Sequence, residues 1–173
     1  MTTDPTADLS LWAIGDKLTT IQCSRDTRRE HRNVLAAVAE ACWWIAALDE
    51  QLDFPRGREY AAARDAHPDG RVILGLRWAG HPHAPDLIEA SPEHVRPFGE
   101  YERKGSSEVA PVVYRWRSVD SVGLIDPRGP GDQDGRDRYS SVVQGHEVVP
   151  ILEAAFSWLA SATAADWSTL KTG

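Results

Sequence analysis

The sequence predicts a mainly α fold: a helical bundle around a long central helix, with a small β element near residues 111–118. Three observations carry this expectation. Asn33–Leu52, NVLAAVAEACWWIAALDEQL, is the longest apolar-rich segment and holds no Gly or Pro. Val148–Ala162 repeats an apolar face at helical spacing through Ile151, Leu152, Ala155, Phe156 and Leu159. Pro111–Ser118, PVVYRWRS, alternates Val112, Tyr114 and Trp116 with Val113, Arg115 and Arg117, the two-residue period of a strand.

The central helix is defined by Val34, Ala37, Val38, Ala41, Ile45, Leu48 and Leu52, which recur every three or four residues along one side. Cys42, Trp44 and Ala46 widen that arc, so more than one neighbour should contact it. Glu40, Asp49 and Glu50 mark a narrow wet face. Trp43 and Trp44 are adjacent and cannot enter one groove together. One is expected to face the core, and the other a second layer, an oligomer contact or a ligand.

Composition bounds the rest. With 173 residues, 42% of them hydrophobic, and seven Trp, the chain reads as one domain over residues 1–173 with a substantial core. Nineteen basic against 26 acidic residues give a net charge of −7, which argues against a general nucleic-acid binder. Sixteen of the nineteen basic residues are Arg, a bias suggesting a high-GC bacterial genome. Cys23 and Cys42 lack metal-type spacing and read as reduced, partly buried helical thiols. Residues 1–8 carry no basic-then-apolar pattern, and no run of eighteen apolar residues occurs, so a cytoplasmic protein without a membrane span is expected.

In chain order, residues 1–7 are expected to be flexible. Asp8 or Ser10 could cap a first helix bearing Leu11, Ile14, Leu18 and Ile21, and Ser24 or Asp26 the next. Arg25, Arg28, Arg29, His31 and Arg32 lead into the central helix, either as a solvated face or as a phosphate-contacting patch. Asp53–Gly57 should end that helix. Arg58–His67 reads as helical, with Tyr60, Ala61 and Arg64 on a shallow face against another element. Arg71–Gly80 fits a strand or a helix by period alone. Residues 81–110 read as a loop, in which Asp86–Ala90 could make one helical turn. The strand at 111–118 needs a partner, near 87–96, near 119–125 or across an oligomer contact. Residues 126–136 read as a second loop, Arg138–Gln144 as a short helix closed by Gly145, and 164–173 as a flexible tail from which Trp167 and Leu170 could dock back.

Chemistry is sparse. Neither a phosphate-cradling glycine loop nor a nucleophile elbow is present. His81, His83, Asp86 and His94 are the densest site-like group. Two His at i, i+2 on extended backbone diverge, whereas a turn at Pro82 could converge them with Asp86 or His94 as a third ligand; exposed loop histidines with no metal and no cofactor are the expectation. Arg77 with His81 or His83 is the one pair suited to phosphodiester chemistry: a guanidinium stabilises phosphate charge and an imidazole moves a proton.

The Trp-bearing central helix, PDGRVILGLRWAG, VVYRWRSVDSV and RDRYSSVVQGHEVVPILEAAFSWL occur in an order that resembles a group of small uncharacterised bacterial helical proteins over roughly residues 30–160. In those sequences the segment after the LRW-type block looks helical and often carries an Arg, a polar residue and a His. That motif is similar to the one in HEPN-type helical bundles, many of them metal-independent RNases of toxin or phage-defence type. The resemblance favours helix for 71–80. In this chain Gly80 stands where the motif's Arg falls, and Pro82 and Pro85 interrupt the His-bearing segment.

The function expected is therefore a non-catalytic binding or regulatory module, with a homodimer or another protein as partner and Trp43 or Trp44 at the contact. The alternative is a HEPN-like RNase using Arg77 with His81 or His83, and Arg28, Arg29 or Arg32 as phosphate contacts; RNA is a partner only under that alternative.

Overall fold

The computed structural model describes residues 5–24, 28–80, 85–90, 113–122, 133–165 and 167, with the backbone alone for 28–30 and 121–122. His81, His83, His94 and Leu170 lie outside the described residues, as do the side chains of Arg28 and Arg29.

Helix α1, Pro5–Gln22, starts inside the stretch expected to be flexible. Proline suits a first helical turn because its missing N–H has no partner there anyway, and Ala7 is already buried. Neither Asp8 nor Ser10 caps the helix. Ser10 is interior and buried, and its hydroxyl donates to the Thr6 carbonyl at 3.0 Å. Ile14, Leu18 and Ile21 line the core as their spacing requires. Cys23 falls in the turn after the helix and is exposed, unlike the half-buried helical thiol expected.

Helix α2, Arg28–Arg56, has 29 residues and so runs about 43 Å. Val34, Ala37, Val38, Ala41, Ile45, Leu48 and Leu52 are all buried along one side. The helix passes through Asp53 and Pro55, beyond the end the turn residues suggested. Gly57, at φ +52°, ends it, donating its N–H to the Asp53 carbonyl at 2.6 Å. Arg56 donates to the Leu52 carbonyl at 3.1 Å, so its side chain also serves the last turn.

Helix α3, Arg58–Ala66, and helix α4, Pro68–Gly80, follow with only His67 between them. Residues 71–80 are thus helical. The packing explains why: Val72, Ile73, Gly75, Leu76, Trp78 and Ala79 are all buried, and α4 touches α2, α3 and two later helices. A strand reading would have placed Ile73 on the wet face, yet it is fully buried. Glycines let these helices close in. A Cβ on Gly80 would meet the Cys42 Cβ at 2.7 Å.

Strands β1, Ile88–Ala90, and β2, Tyr114–Trp116, pair antiparallel with Ile88 opposite Trp116. The strand partner lies where expected, although it interrupts the predicted 81–110 loop, and Pro85–Leu87 make a turn rather than helix. On its other edge β2 is held by residues 145–147. Trp116 donates its N–H to the His146 carbonyl at 3.0 Å, and its own carbonyl accepts from Gly145 at 2.7 Å. Backbone groups of a two-stranded ribbon are therefore satisfied on both edges of β2.

Helix α5, Val119–Val122, is one turn. Helix α6, Gln133–Val142, begins inside the predicted 126–136 loop, because its first turns pack on α4 with Gly135 and Tyr139 buried. Gly145, at φ +80°, turns the chain into helix α7, Val148–Ala164. Trp167 docks back: its indole N–H donates to the Ala162 carbonyl at 2.8 Å.

In layers, α2 lies between α1 and α4, and α7 packs against all three. The buried side chains form one contiguous cluster. The mainly α bundle around a central helix, with its small β element, is the fold the sequence predicts. No described helix is long and apolar enough to cross a membrane.

Candidate functional site

The polar heart of the molecule is Asp49. It sits four residues after Ile45 and three before Leu52, so the helical repeat turns it into the apolar side of α2. It is fully buried, which corrects the reading that put it on a wet face. A buried carboxylate is tolerated only when its lone pairs and charge are met. Here Oδ1 accepts from the Tyr60 hydroxyl at 2.7 Å and from Arg64 Nη1 at 3.1 Å. Oδ2 accepts from the same Arg64 nitrogen at 3.0 Å and from Arg77 Nη1 at 2.6 Å.

The partners come from two other helices. Tyr60 and Arg64 stand one turn apart on α3, which puts both on one face; both are buried against other elements, as expected of them, and more deeply than a shallow face implies. Arg77 is in the last turn of α4. One carboxylate thus bolts α2, α3 and α4 together. Outside it, Arg77 Nη2 donates to Glu50 at 2.8 Å, Arg64 Nε to Asp65 at 3.4 Å, and Arg138 of α6 pairs with Asp65 at 3.6 Å. Three cations (Arg64, Arg77, Arg138) thus face four anions, since Arg138 also reaches Asp134 at 3.9 Å beside Asp49, Glu50 and Asp65.

The protonation behaviour follows from this geometry. Burial raises the Tyr60 phenol well above its ordinary range, and the Asp49 charge and hydrogen bond push it the same way. Burial works to lower Arg64, but the Asp49 charge and hydrogen bond, together with the Asp65 and Tyr60 charges, offset it and the guanidinium is held raised. At the α2–α4 contact, burial alone pushes the Cys42 thiol up to about 12. None of these groups is poised to exchange a proton near neutrality.

Of the residues expected to carry phosphodiester chemistry, only Arg77 and Arg32 have described side chains. Arg77 spends both terminal nitrogens on carboxylates. Arg32 is exposed near the start of α2. It is seventeen residues, about 26 Å of helix, from the Asp49 that holds Arg77. Among the described residues, no group of three or more His, Cys, Asp or Glu is placed to hold a metal.

The second feature is apolar. Trp43 and Trp44 divide as their adjacency requires. Trp44 packs partly buried against the core, while Trp43 is 60% exposed, and the rings meet edge to face with centroids 4.6 Å apart. Phe54, on the same outward side of α2, is 95% exposed, and Leu9 and Trp12 of α1 are exposed as well. Four large apolar side chains on a two-helix hairpin are more than scattered surface residues. Phe54 escaped sequence reasoning because the turn residues around it masked its helical position. Asp49 carried a usable signal, a charge at a stripe position, but its partners are set by tertiary contact.

No family model, no curated protein and no solved structure matches this chain.

Proposed function

We propose that the protein is a non-catalytic binding or regulatory module that docks a protein partner on the outward face of α2. One observation carries this reading: the central helix turns Trp43 and Phe54 to solvent, where binding energy concentrates in exposed aromatic anchors. Arg77 supports it from the other side. Cleavage of RNA by Arg77 with His81 or His83 needs a guanidinium that can receive a phosphate oxygen, and Arg77 is already shared between Asp49 and Glu50. The likeness to HEPN-type bundles is accordingly proposed for the scaffold, not for the reaction. A bacterial, cytoplasmic setting accompanies it, supported by the Arg-rich composition and two free thiols.

The experiment is direct. Full-length protein is incubated with a mixed single-stranded RNA pool, with and without divalent metal, and the pool is resolved on a gel. Intact RNA is the expected result. Cleavage that disappears in Arg77→Ala would overturn the reading in favour of the RNase.

A further inference from the structure

The outward face of α2 has a regular composition. Ala36, Glu40, Trp43, Ala47, Glu50 and Phe54 follow one another at spacings of four, three, four, three and four, the seam pattern by which one helix packs along another. All but the half-buried Ala47 are exposed. The seam also reads the same from both ends about residue 45: position 36 mirrors 54, 40 mirrors 50, and 43 mirrors 47. Each mirror pair of apolar positions joins a small residue to a large one, Ala36 to Phe54 and Ala47 to Trp43.

We propose that the occupant of this face is a second copy of the chain, with the two α2 helices running antiparallel across a two-fold axis level with residue 45. A two-fold contact places each position against its mirror on the other copy. Trp43 of one copy then lies over Ala47 of the other, and Phe54 over Ala36, aromatic knobs over the gaps left by methyl side chains. The remaining pair, Glu40 against Glu50, would repel if bare, but each holds a cation, which it shares with a neighbouring carboxylate: Lys17 with Asp16 and Arg77 with Asp49. Lys17 holds Glu40 at 2.9 Å from the α1 side, and Arg77 holds Glu50 at 2.8 Å from the α4 side. Because α1 and α4 flank α2 on opposite sides, the two carboxylates diverge across the seam. The centre gains further apolar surface. α1 and α2 form an antiparallel hairpin in which Lys17 meets Glu40, so Trp12 and Leu9 fall level with about residues 45 and 48 of α2. The seam then has an apolar middle, a charged pair on either side of it and an apolar pair at each end, with aromatic anchors of the kind that carry protein interfaces.

This inference rests on the binding reading above, but the two fail separately: RNA cleavage that Arg77→Ala abolishes defeats the first and a monomer defeats the second. The test uses full-length protein carrying Cys23→Ser, which removes the exposed thiol. Ala36→Cys and Phe54→Cys chains are prepared separately, then mixed and mildly oxidised. A disulfide needs Cα atoms within about 7 Å. In the antiparallel seam 36 meets 54 of the other copy, whereas 36 lies about 27 Å from its own counterpart. The expected result is a 36–54 disulfide in the mixture and none in either chain alone. Sedimentation should show a dimer that Trp43→Glu weakens about tenfold or more, with unchanged far-UV circular dichroism. A monomer at every concentration, a 36–36 disulfide, or a dimer indifferent to Trp43→Glu would each overturn the proposal.

Discussion

Asp49→Asn tests the account of the buried cluster most sharply. The change keeps shape and removes charge. Asp49 is fully buried and accepts from Tyr60, Arg64 and Arg77. Without its charge, Arg64, whose side chain is 7% exposed, keeps Asp65 at 3.4 Å as its one anionic partner among the described residues. Arg77 is better placed, since it retains Glu50 and is partly open to water. Most of the cost therefore comes from one stranded buried guanidinium. Removing one partner of a buried ion pair typically costs about 3–5 kcal/mol, a large share of the roughly 5–15 kcal/mol that holds a domain folded. Glu50→Gln is the matched control. Glu50 bonds the same Arg77, but its side chain is 68% exposed, so its loss should cost about 0–1 kcal/mol. Urea unfolding followed by far-UV circular dichroism measures both. With a slope of about 1–3 kcal/mol per molar urea, the Asp49→Asn midpoint should fall by more than about 1 M while Glu50→Gln barely moves. Adding Arg64→Met to Asp49→Asn should recover part of the loss, because no buried cation then remains unpaired. If Asp49→Asn and Glu50→Gln fall within about 0.5 kcal/mol of each other, a size at which surface substitutions commonly act, burial is not what makes Asp49 matter.

Gly75→Ala should destabilise by about 1–3 kcal/mol in the same assay, because a Cβ there would lie 3.0 Å from the Tyr139 Cα and 3.1 Å from its amide nitrogen, backbone that cannot swing away. At concentrations low enough that the chain is monomeric, Trp43→Ala should leave stability within about 0.5 kcal/mol of the parent, since its ring is mostly in water; a larger loss there would mean the ring serves the fold rather than a partner. Under native conditions near pH 8 one thiol per chain, Cys23, should react with a disulfide reagent, and two in denaturant; two native thiols would contradict the burial of Cys42. The same burial sets a pH dependence. The folded state holds the Cys42 proton up to about 12, against an ordinary value of 9.0, so the unfolded chain releases it first. That contribution is complete below pH 9 and is lost as pH rises through 12, and Cys42→Ala should flatten the decline in unfolding free energy over this window.

Much of the fold was legible because the signals are local. The 3.6-residue stripe of Val34 to Leu52, the matching stripe of Ile151 to Leu159 and the alternation around Tyr114 each state which side of an element is apolar, and an element must bury that side. The strand's partner could also be bounded, since a lone strand leaves its backbone unpaired. Boundaries were less legible. Pro5 and Pro55 look like breakers, yet a first turn needs no N–H from proline, and the end of α2 is decided by Gly57. The cluster was legible only in part. Asp49 stands at an apolar-stripe position, but nothing local says that Tyr60, Arg64 and Arg77 converge on it from two other helices. Local periodicity determined the helices and their buried sides. Tertiary structure decided which charges are neutralised in the interior and which aromatic side chains face water, because pairing and exposure depend on what arrives from elsewhere in the chain.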